Sequence, residues 1–344
     1  MIKLPLKEKQ AFLITDRLTR KYICKFDLEE GFLLVGNKTF YLTDARYFYR
    51  AKPIIEQNGI TAVLFNDYSD IKKLCAQLKL KTLFIDFERT MLSQYQTYKS
   101  FKVKLKDGSE ILNLVKTIKN EEELSNIQKA CEITQTALWE EVSRIKEGIT
   151  ELELKKSIEN KMISLGADGV AFDTIVAFGA NSAVPHHLSG ETKLCKNSVV
   201  LIDAGCKVNG YCSDITRTYF FGEPTEKFIN VYQCVYKANE LALREIKSGV
   251  NGKEADDVAR KYLSNCGFGE KFTHSLGHGV GLEIHEFPSL SKKSSALLKD
   301  GMVFTIEPGV YLDGEFGVRI EDTVVLKNGS VERLFTDRKD LILL

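Results

Sequence analysis

The stretch from 199 to 218 reads VVLIDAGCKVNGYCSDITRT and carries Asn209-Gly210 between two runs of alternating apolar residues. Asn-Gly is a strong signal for a two-residue β-turn, because both central residues of that turn need a positive φ. If the turn forms, Val208 pairs with Tyr211 and the two runs become neighbouring antiparallel strands. The stretch therefore predicts a hairpin whose register is set by its turn.

The predicted register brings two aspartates together. Continued along both strands, it places Gly205 opposite Asp214, and Asp203 shares the face of Gly205 because side chains alternate along a strand. The two aspartates are then diagonal neighbours, about 7 Å apart at Cα. That spacing lets one carboxylate chelate a metal ion while the other bridges to a second ion. Solvated aspartates on an edge strand are the alternative explanation of this hairpin taken alone.

Two glutamates lie in apolar, strand-like runs further along the chain. Glu307 precedes Pro308-Gly309 in VFTIEPGVY, and Glu321 follows Arg319 by two residues in FGVRIEDTVVL. An unpaired carboxylate in such a run is costly to bury unless it is protonated, paired or bound to a metal. Arg319 and Glu321 are expected on one face of a strand, since the side-chain period is two.

The histidines of the chain fall near these carboxylates, between 186 and 285: His186, His187, His274, His278 and His285. A lone histidine is often a satisfied core or surface residue, whereas a cluster beside carboxylates favours a site. With one histidine the carboxylates form an oxygen-rich ligand set: Asp203, Asp214, His278, Glu307 and Glu321. Such ligands suit two divalent ions, Mn²⁺ first and Co²⁺, Fe²⁺ or Zn²⁺ as substitutes. Two ions of this kind equip a hydrolase.

Length, charge and cysteine usage narrow the class of protein. The 344 residues suggest two domains, and 48 basic against 47 acidic residues leave a net charge of +1. We therefore expect no nucleic-acid or membrane partner. The beginning, MIKLPLKEKQ, lacks the apolar core of a signal peptide, and the eight cysteines form no CxxC pair, so a cytoplasmic protein with reduced thiols is expected.

Hydrophobic patterning divides the chain in two. Residues 1–114 alternate short apolar runs with helical periods, which predicts an α/β domain with a largely covered sheet. Residues 115–344 open with helices and continue with strands, which predicts an α+β domain whose curved, mostly antiparallel sheet is backed by helices. Two of these helices begin at capping boxes, Asn120 with Glu123 and Thr150 with Glu153.

The ordered motifs IDAG, SDITRT, HSLGHGVGLEIHE, TIEPGVY and VRIEDTVV resemble those of the pita-bread metallopeptidases. That family includes methionine aminopeptidase, aminopeptidase P, prolidase and creatinase. All five ligand positions are present in the family's order, over residues 115–340. The N-terminal segment resembles the creatinase-like domain of the last three, and the resemblance implies a homo-oligomer, a dimer or a tetramer.

This resemblance implies a role for each member of the ligand set. Asp203 chelates one metal ion, His278 and Glu307 hold the other, and Asp214 with Glu321 bridge the two. The nucleophile is a metal-bridging hydroxide, and Glu307 shuttles its proton to the leaving amine.

Three histidines match the family's substrate-binding positions. His186 in NSAVPHH and His285 in LEIHE resemble the residues that hydrogen-bond the scissile carbonyl and the tetrahedral oxyanion. His274, four residues before His278, is a feature of the proline-specific branch. The resemblance therefore implies peptide substrates with proline at the second position.

Within that branch the sequence favours an Xaa-Pro aminopeptidase. Prolidases often place an arginine shortly after the HE pair to hold the free carboxylate of a dipeptide, and here Ser289 stands at that place in HEFPSLS. Arg319 is predicted to be a catalytic residue. Its guanidinium either reaches a substrate carboxylate or holds Glu321 or Asp322 by a charge-assisted hydrogen bond. Xaa-Pro dipeptidase (prolidase) is the alternative.

Two further readings carry less weight. A non-catalytic binding module of the same fold typically lacks several ligands, and this chain lacks none. Creatinase is disfavoured because it does not keep this complete metal set.

Overall fold

The computed structural model describes residues 2–336 and 339–344. The chain separates into two compact units, residues 1–116 and 117–344. Within the described residues, no helix is both long enough and apolar enough to span a bilayer.

Unit 1 is a six-stranded mixed sheet with helices, in the strand order β4-β3-β2-β1-β5-β6. Its elements are β1 (Gln10–Ile14), α1 (Arg17–Cys24), β2 (Phe32–Val35), β3 (Thr39–Thr43), α2 (Ala45–Gln57), β4 (Thr61–Leu64), α3 (Tyr68–Gln77), β5 (Thr82–Ile85), α4 (Leu92–Lys99), β6 (Lys104–Asp107) and α5 (Ser109–Thr117). The pairs β1–β5, β5–β6 and β3–β4 are parallel, and the other two pairs are antiparallel. The predicted α/β class is confirmed.

In its described residues, unit 2 combines four long helices with short strands and two 3₁₀ turns. Its helices are α6 (Glu121–Val142), α7 (Glu151–Ser164), α8 (Glu226–Glu245) and α9 (Gly252–Asn265). Its strands are β7 (Gly169–Val170), β8 (Ile175–Phe178), β9 (Ser198–Ala204), β10 (Cys206–Val208), β11 (Tyr211–Cys212), β12 (Ile215–Phe221), β13 (Gly277–Gly279), β14 (Glu286–Leu290), β15 (Val303–Ile306), β16 (Gly309–Leu312), β17 (Phe316–Arg319), β18 (Asp322–Lys327) and β19 (Ser330–Arg333).

Both predicted capping boxes are present. Glu123 N donates to Asn120 Oδ1 at 3.0 Å, and Asn120 N donates to Glu123 Oε2 at 3.1 Å. The helix α6 begins at the residue after Asn120. Thr150 and Glu153 open α7 in the same way. Each box satisfies two backbone donors that a helix start otherwise leaves without partners.

The strands of unit 2 form antiparallel sheets, which confirms the predicted α+β class. The larger sheets have the strand orders β12-β9-β8 and β14-β13-β15-β18-β19. Every pairing between the named strands in the described part of this unit is antiparallel. Apolar side chains of α6 and α7 cover one group of strands, and those of α8 and α9 cover another.

The predicted hairpin register is confirmed. Asn209 and Gly210 have φ values of 51° and 82°, as the two-residue turn requires, and Val208 pairs with Tyr211. The same register continues between β9 and β12, where Asp203 pairs with Thr216. Asp203 and the residue two before Thr216, Asp214, are therefore diagonal neighbours on one face.

Candidate metal centre

Every residue that the sequence nominated for the site lines one cleft of unit 2, with a volume of about 490 Å³. These residues are Asp203, Asp214, His278, Glu307, Glu321, His186, His274, His285 and Arg319. They come from β9, the β11–β12 link, β13, the ends of β15 and β17, and three loops. The fold thus gathers side chains separated by more than a hundred positions.

The centre of the cleft holds three ligand-type side chains. Asp214, His278 and Glu321 each offer one ligand atom, and these atoms lie within 4.8 Å of one another. Glu307 adjoins the group, since its Oε1 lies 3.5 Å from His278 Nε2. His278 Nδ1 lies 3.1 Å from Gly279 O, so Nδ1 carries the proton and Nε2 presents its lone pair to the carboxylates. That tautomer is the one a metal ligand needs.

Asp203 lies at the side of this group rather than inside it. Its Oδ2 accepts a hydrogen bond from Arg319 at 2.8 Å. Its Oδ1 is buried and has no hydrogen-bond partner among the described residues. A buried carboxylate oxygen without a donor is costly, and a bound cation would satisfy it.

Ionising all the carboxylates of the cluster at the same time is unfavourable without a bound cation. Burial first, and then the charges of Glu321, Asp203 and Glu307, raise the pKa of Asp214 well above its usual range. Burial raises the pKa of Glu307 to about 8, against the opposing influence of Arg319. Burial and the neighbouring His285 lower the pKa of His278 to about 4.

Burial is the leading cause of each of these shifts, and for Asp214 and Glu307 the charges of neighbouring carboxylates add to it. The pKa of Glu321 is also raised well above its usual range, by burial and then by Glu307 and Asp203. A divalent cation would reverse the repulsion and keep the carboxylates ionised. The oxygen-rich donor set, the tautomer of His278 and the unpartnered Asp203 oxygen all fit divalent metal ions.

The remaining histidines surround the cluster. His274 Nδ1 lies 2.8 Å from Ser275 O, and its Nε2 lies 2.8 Å from the hydroxyl of Tyr311. Burial and Arg319 lower the pKa of His274 to about 3, so the ring is neutral. The ring of His285 lies 4.2 Å from that of His278, centroid to centroid, and His186 lines the same cleft.

Arg319 donates four hydrogen bonds to protein groups, one of them to Pro185 O at 3.3 Å. Its Nε donates to Thr216 Oγ1 at 3.0 Å, one terminal nitrogen donates to the Tyr311 hydroxyl at 2.9 Å, and the other donates to Asp203. Its ion-pair partner is therefore Asp203, not the Glu321 or Asp322 that the sequence suggested. Thr216 connects the two halves of the site, because its hydroxyl also donates to Glu321 at 2.6 Å.

Several supporting residues were missed from the sequence. Tyr311 is the last residue of the run TIEPGVY. Thr216 comes two residues after Asp214, so both side chains lie on the same face of the strand. Glu151 is completely buried and accepts four hydrogen bonds, from Phe178 N, Asn181, His187 and Gly190 N. It thereby holds the loop that carries His186. Only the strand period offered a signal, and only for Thr216.

Unit 1 is an α/β domain, and unit 2 is an antiparallel α+β domain with a buried cluster of carboxylates and one histidine. Such a cluster is the ligand set of a metal-dependent hydrolase. The model of metallopeptidase family M24 matches residues 125–328, and the model of the creatinase/prolidase N-terminal domain matches residues 6–118. The chain belongs to metallopeptidase family M24, which confirms the resemblance seen in the motifs and implies divalent metal ions.

The relatives are similar along nearly the whole chain. An Xaa-Pro dipeptidase of Pyrococcus furiosus is 36% identical over 314 residues, which cover 91% of this chain and 89% of that protein. The structure of an Xaa-Pro dipeptidase from Bacillus anthracis has a TM-score of 0.92 at 33% identity and covers 97% of this chain and 95% of its own. An X-Pro aminopeptidase structure from Thermotoga maritima has a TM-score of 0.88 at 37% identity, with the same coverage.

Proposed function

We propose that the protein is an Xaa-Pro dipeptidase, a prolidase that hydrolyses the bond between any residue and a following proline. The observation that carries this proposal is the likeness to Xaa-Pro dipeptidases over both units of the chain. The absence of an arginine at Ser289 favoured an aminopeptidase, and the likeness to an X-Pro aminopeptidase keeps that activity as the second candidate. The two candidates share the bond cleaved and differ in the chain after proline.

In this proposal two divalent ions, Mn²⁺ by the hardness of the ligands, bind in the cleft. Asp203 would chelate one ion and His278 with Glu307 the other, while Asp214 and Glu321 would bridge. When bound, such ions polarise the scissile carbonyl and lower the pKa of the attacking water. The ligand atoms within 4.8 Å and the unpartnered oxygen of Asp203 support these assignments.

The side chains around the cluster would do the remaining work. Glu307 lies beside His274, with 3.8 Å between Oε2 and Nδ1, and is placed to carry a proton from water to the leaving nitrogen. His186 and His285 would donate hydrogen bonds to the substrate carbonyl and the developing oxyanion. Arg319 would mainly keep Asp203 and Tyr311 in place, because four of its five N–H donors already have protein partners.

Relative cleavage of two substrates tests the proposal. The Mn²⁺-loaded protein is offered Xaa-Pro and Xaa-Pro-Yaa side by side, with Glu307→Gln as the inactive control. Higher kcat/KM on the dipeptide supports a prolidase, and higher kcat/KM on the tripeptide supports the aminopeptidase. A protein that binds metal and cleaves neither would be a non-catalytic binding module.

Ser289 gives a second test of the carboxyl end of the substrate. Its side chain lines the cleft where the family's arginine would hold a free proline carboxylate. Ser289→Arg should raise kcat/KM for Xaa-Pro, since a charge-assisted hydrogen bond contributes about 1.5–3 kcal/mol. The same change should bring no gain on Xaa-Pro-Yaa, which has an amide at that position.

The proposal also includes the division into an N-terminal domain of residues 1–114 and a catalytic domain of residues 115–344. A cytoplasmic homodimer completes it, by resemblance to the family. Sedimentation of the purified protein tests the dimer.

A further inference from the structure

A buried ion pair on α9 lies outside the cleft. Asp256 is completely buried, and the side chain of Arg260, one turn later, is 12% exposed. The guanidinium contacts both carboxylate oxygens, with Nε donating to Oδ2 at 2.6 Å and a terminal nitrogen donating to Oδ1 at 2.8 Å. A buried pair of this kind is costly to desolvate and often contributes little net stability. Its contacts beyond the helix are therefore informative.

Those contacts all fall on one short segment, residues 272–276. Arg260 donates to Phe272 O at 2.8 Å and to His274 O at 2.7 Å, and its guanidinium lies 4.1 Å from the centre of the Phe272 ring. Asp256 Oδ1 accepts a hydrogen bond from Leu276 N at 3.0 Å. The segment belongs to no helix or strand. Side chains of α9 thus satisfy backbone groups that a regular element would satisfy elsewhere.

The same segment carries catalytic-site groups. His274 extends from its middle to the hydroxyl of Tyr311. Leu276 O accepts a hydrogen bond from Glu307 N at 2.8 Å. The strand β13, with His278 at its centre, begins at the following residue. The backbone that Asp256 and Arg260 hold is therefore the backbone that places His274 against the cluster.

We propose that Asp256 and Arg260 are positioning residues of the peptidase, and that they act on turnover through His274. Neither lines the cleft. The guanidinium donates four hydrogen bonds at once, two to carbonyls two residues apart and two to Asp256, which is more than the three donors of an ammonium group can supply. The inference rests on the proposed function only because turnover is one of its readouts.

The same helix supplies a matched control. Lys253 and Lys261 form ion pairs with Asp257 at 2.8 and 3.3 Å, one residue along from the buried pair. The side chains of Lys253 and Lys261 are exposed and that of Asp257 is partly exposed, and the contacts given for them stay within the helix. Asp257→Asn therefore changes the charge of α9 without touching the segment 272–276.

Kinetics of four variants test the proposal. Arg260→Met should lower kcat about 10²-fold, the order expected when a catalytic group is misplaced by about 1 Å, with KM and bound metal little changed. Arg260→Lys should give an intermediate loss, and Asp256→Asn a loss of the same kind. Asp257→Asn should match the wild type.

A double-mutant cycle distinguishes positioning from a general structural role. In a His274→Ala background, Arg260→Met should cause little further loss of kcat, because residues that act as a unit are not additive. Additive losses would overturn the proposal, as would a variant with a lower Tm and normal kcat. If Arg260→Met does not fold, Arg260→Lys carries the same cycle.

A readout without turnover separates this inference from the proposed function. The ¹⁵N shifts of the His274 ring report its tautomer and its hydrogen bond to Tyr311. They should change in Arg260→Lys and stay as in the wild type in Asp257→Asn. Unchanged shifts in both would overturn the positioning role. A wild type that cleaves no Xaa-Pro peptide would instead overturn the proposed function and leave the shift test in force.

Discussion

Glu321 and Asp322 are consecutive and both buried, but cations surround Asp322 while other carboxylates lie near Glu321. The carboxylate of Asp322 is contacted by three cations, Arg217 at 2.8 Å, Lys339 at 3.0 Å and Arg333 at 3.2 Å. Glu321 accepts a hydrogen bond from the hydroxyl of Thr216 and faces other carboxylates. Because neighbouring residues of an extended chain point in opposite directions, one backbone serves both environments.

The pKa values express the difference. Burial by itself would raise the pKa of Asp322, and its three cations outweigh burial and hold that pKa well below the usual range. Burial and the neighbouring Glu307 and Asp203 raise the pKa of Glu321. The chain thus supplies its own cations where a buried carboxylate is structural. In the cluster, Asp203, Asp214, Glu307 and Glu321 share the guanidinium of Arg319, and divalent metal ions would supply the missing positive charge.

The largest expected effect is on the cluster that lacks cations. Asp214→Ala and Glu321→Ala should release metal and reduce turnover to background, because each carboxylate is proposed as a bridge. Loss of even a residue behind a ligand typically costs 10–100-fold in metal affinity, so a lost bridge should cost more than about 10²-fold. Metal analysis and peptide hydrolysis measure both. A variant with two ions per chain and normal turnover would contradict the assignment.

The next effect separates the two neighbours by stability. Asp322→Asn should lower the free energy of unfolding by about 3–5 kcal/mol, because it leaves buried cations without their counter-charge. Glu321→Gln in the metal-free protein should be neutral or stabilising, because it replaces a carboxyl group whose ionisation is disfavoured by burial and by Glu307 and Asp203. Urea unfolding with a chelator present measures both. Equal costs for the two changes would show that the cluster is not short of cations.

The contributions of Glu307 and Asp322 to stability should depend on pH with opposite signs. Glu307 has a pKa raised to about 8, so its folded form holds a proton that the unfolded chain releases near pH 4. The metal-free protein should therefore lose stability as pH rises from about 4 to about 8. Asp322 has a lowered pKa and contributes stability above about pH 4 that is lost as pH falls. Tm measured against pH, with Glu307→Gln as the flatter control, tests this.

Metal addition should cancel the Glu307 slope, since ligands bind metal in the deprotonated form. Each site at a free metal concentration of 100 times Kd should add about 2.7 kcal/mol to the free energy of unfolding. If the slope with pH persists at saturating Mn²⁺, Glu307 is not a ligand.

The smallest expected effect is at a partly exposed ion pair. Asp257 pairs with Lys253 on the surface of α9, and solvent screens that pair. Asp257→Asn should change the free energy of unfolding by less than about 1 kcal/mol. A loss of unfolding free energy similar to that of Asp322→Asn would mean that contact with a cation, rather than burial, determines how much each aspartate contributes to stability.

Local signals in the sequence predicted much of this molecule. The Asn209-Gly210 turn predicted a register that holds as far as Asp203, because turn geometry and side-chain alternation need only adjacent residues. The capping boxes predicted where α6 and α7 begin for the same reason. The motif order predicted the family. The preference for an aminopeptidase rested on one position, Ser289, and the likeness to dipeptidases supports the alternative more strongly.

The sequence by itself determined the class of fold, the hairpin register and nine of the residues that line the cleft. Only the tertiary structure decided which cations meet which carboxylates. Arg319 was expected beside Glu321 and instead pairs with Asp203, 116 positions away, and Arg217 meets Asp322 across 105 positions. The strand period assigns a side chain to a face, but the partner on that face comes from another strand. Packing of the sheets selects that partner, and no local pattern encodes it.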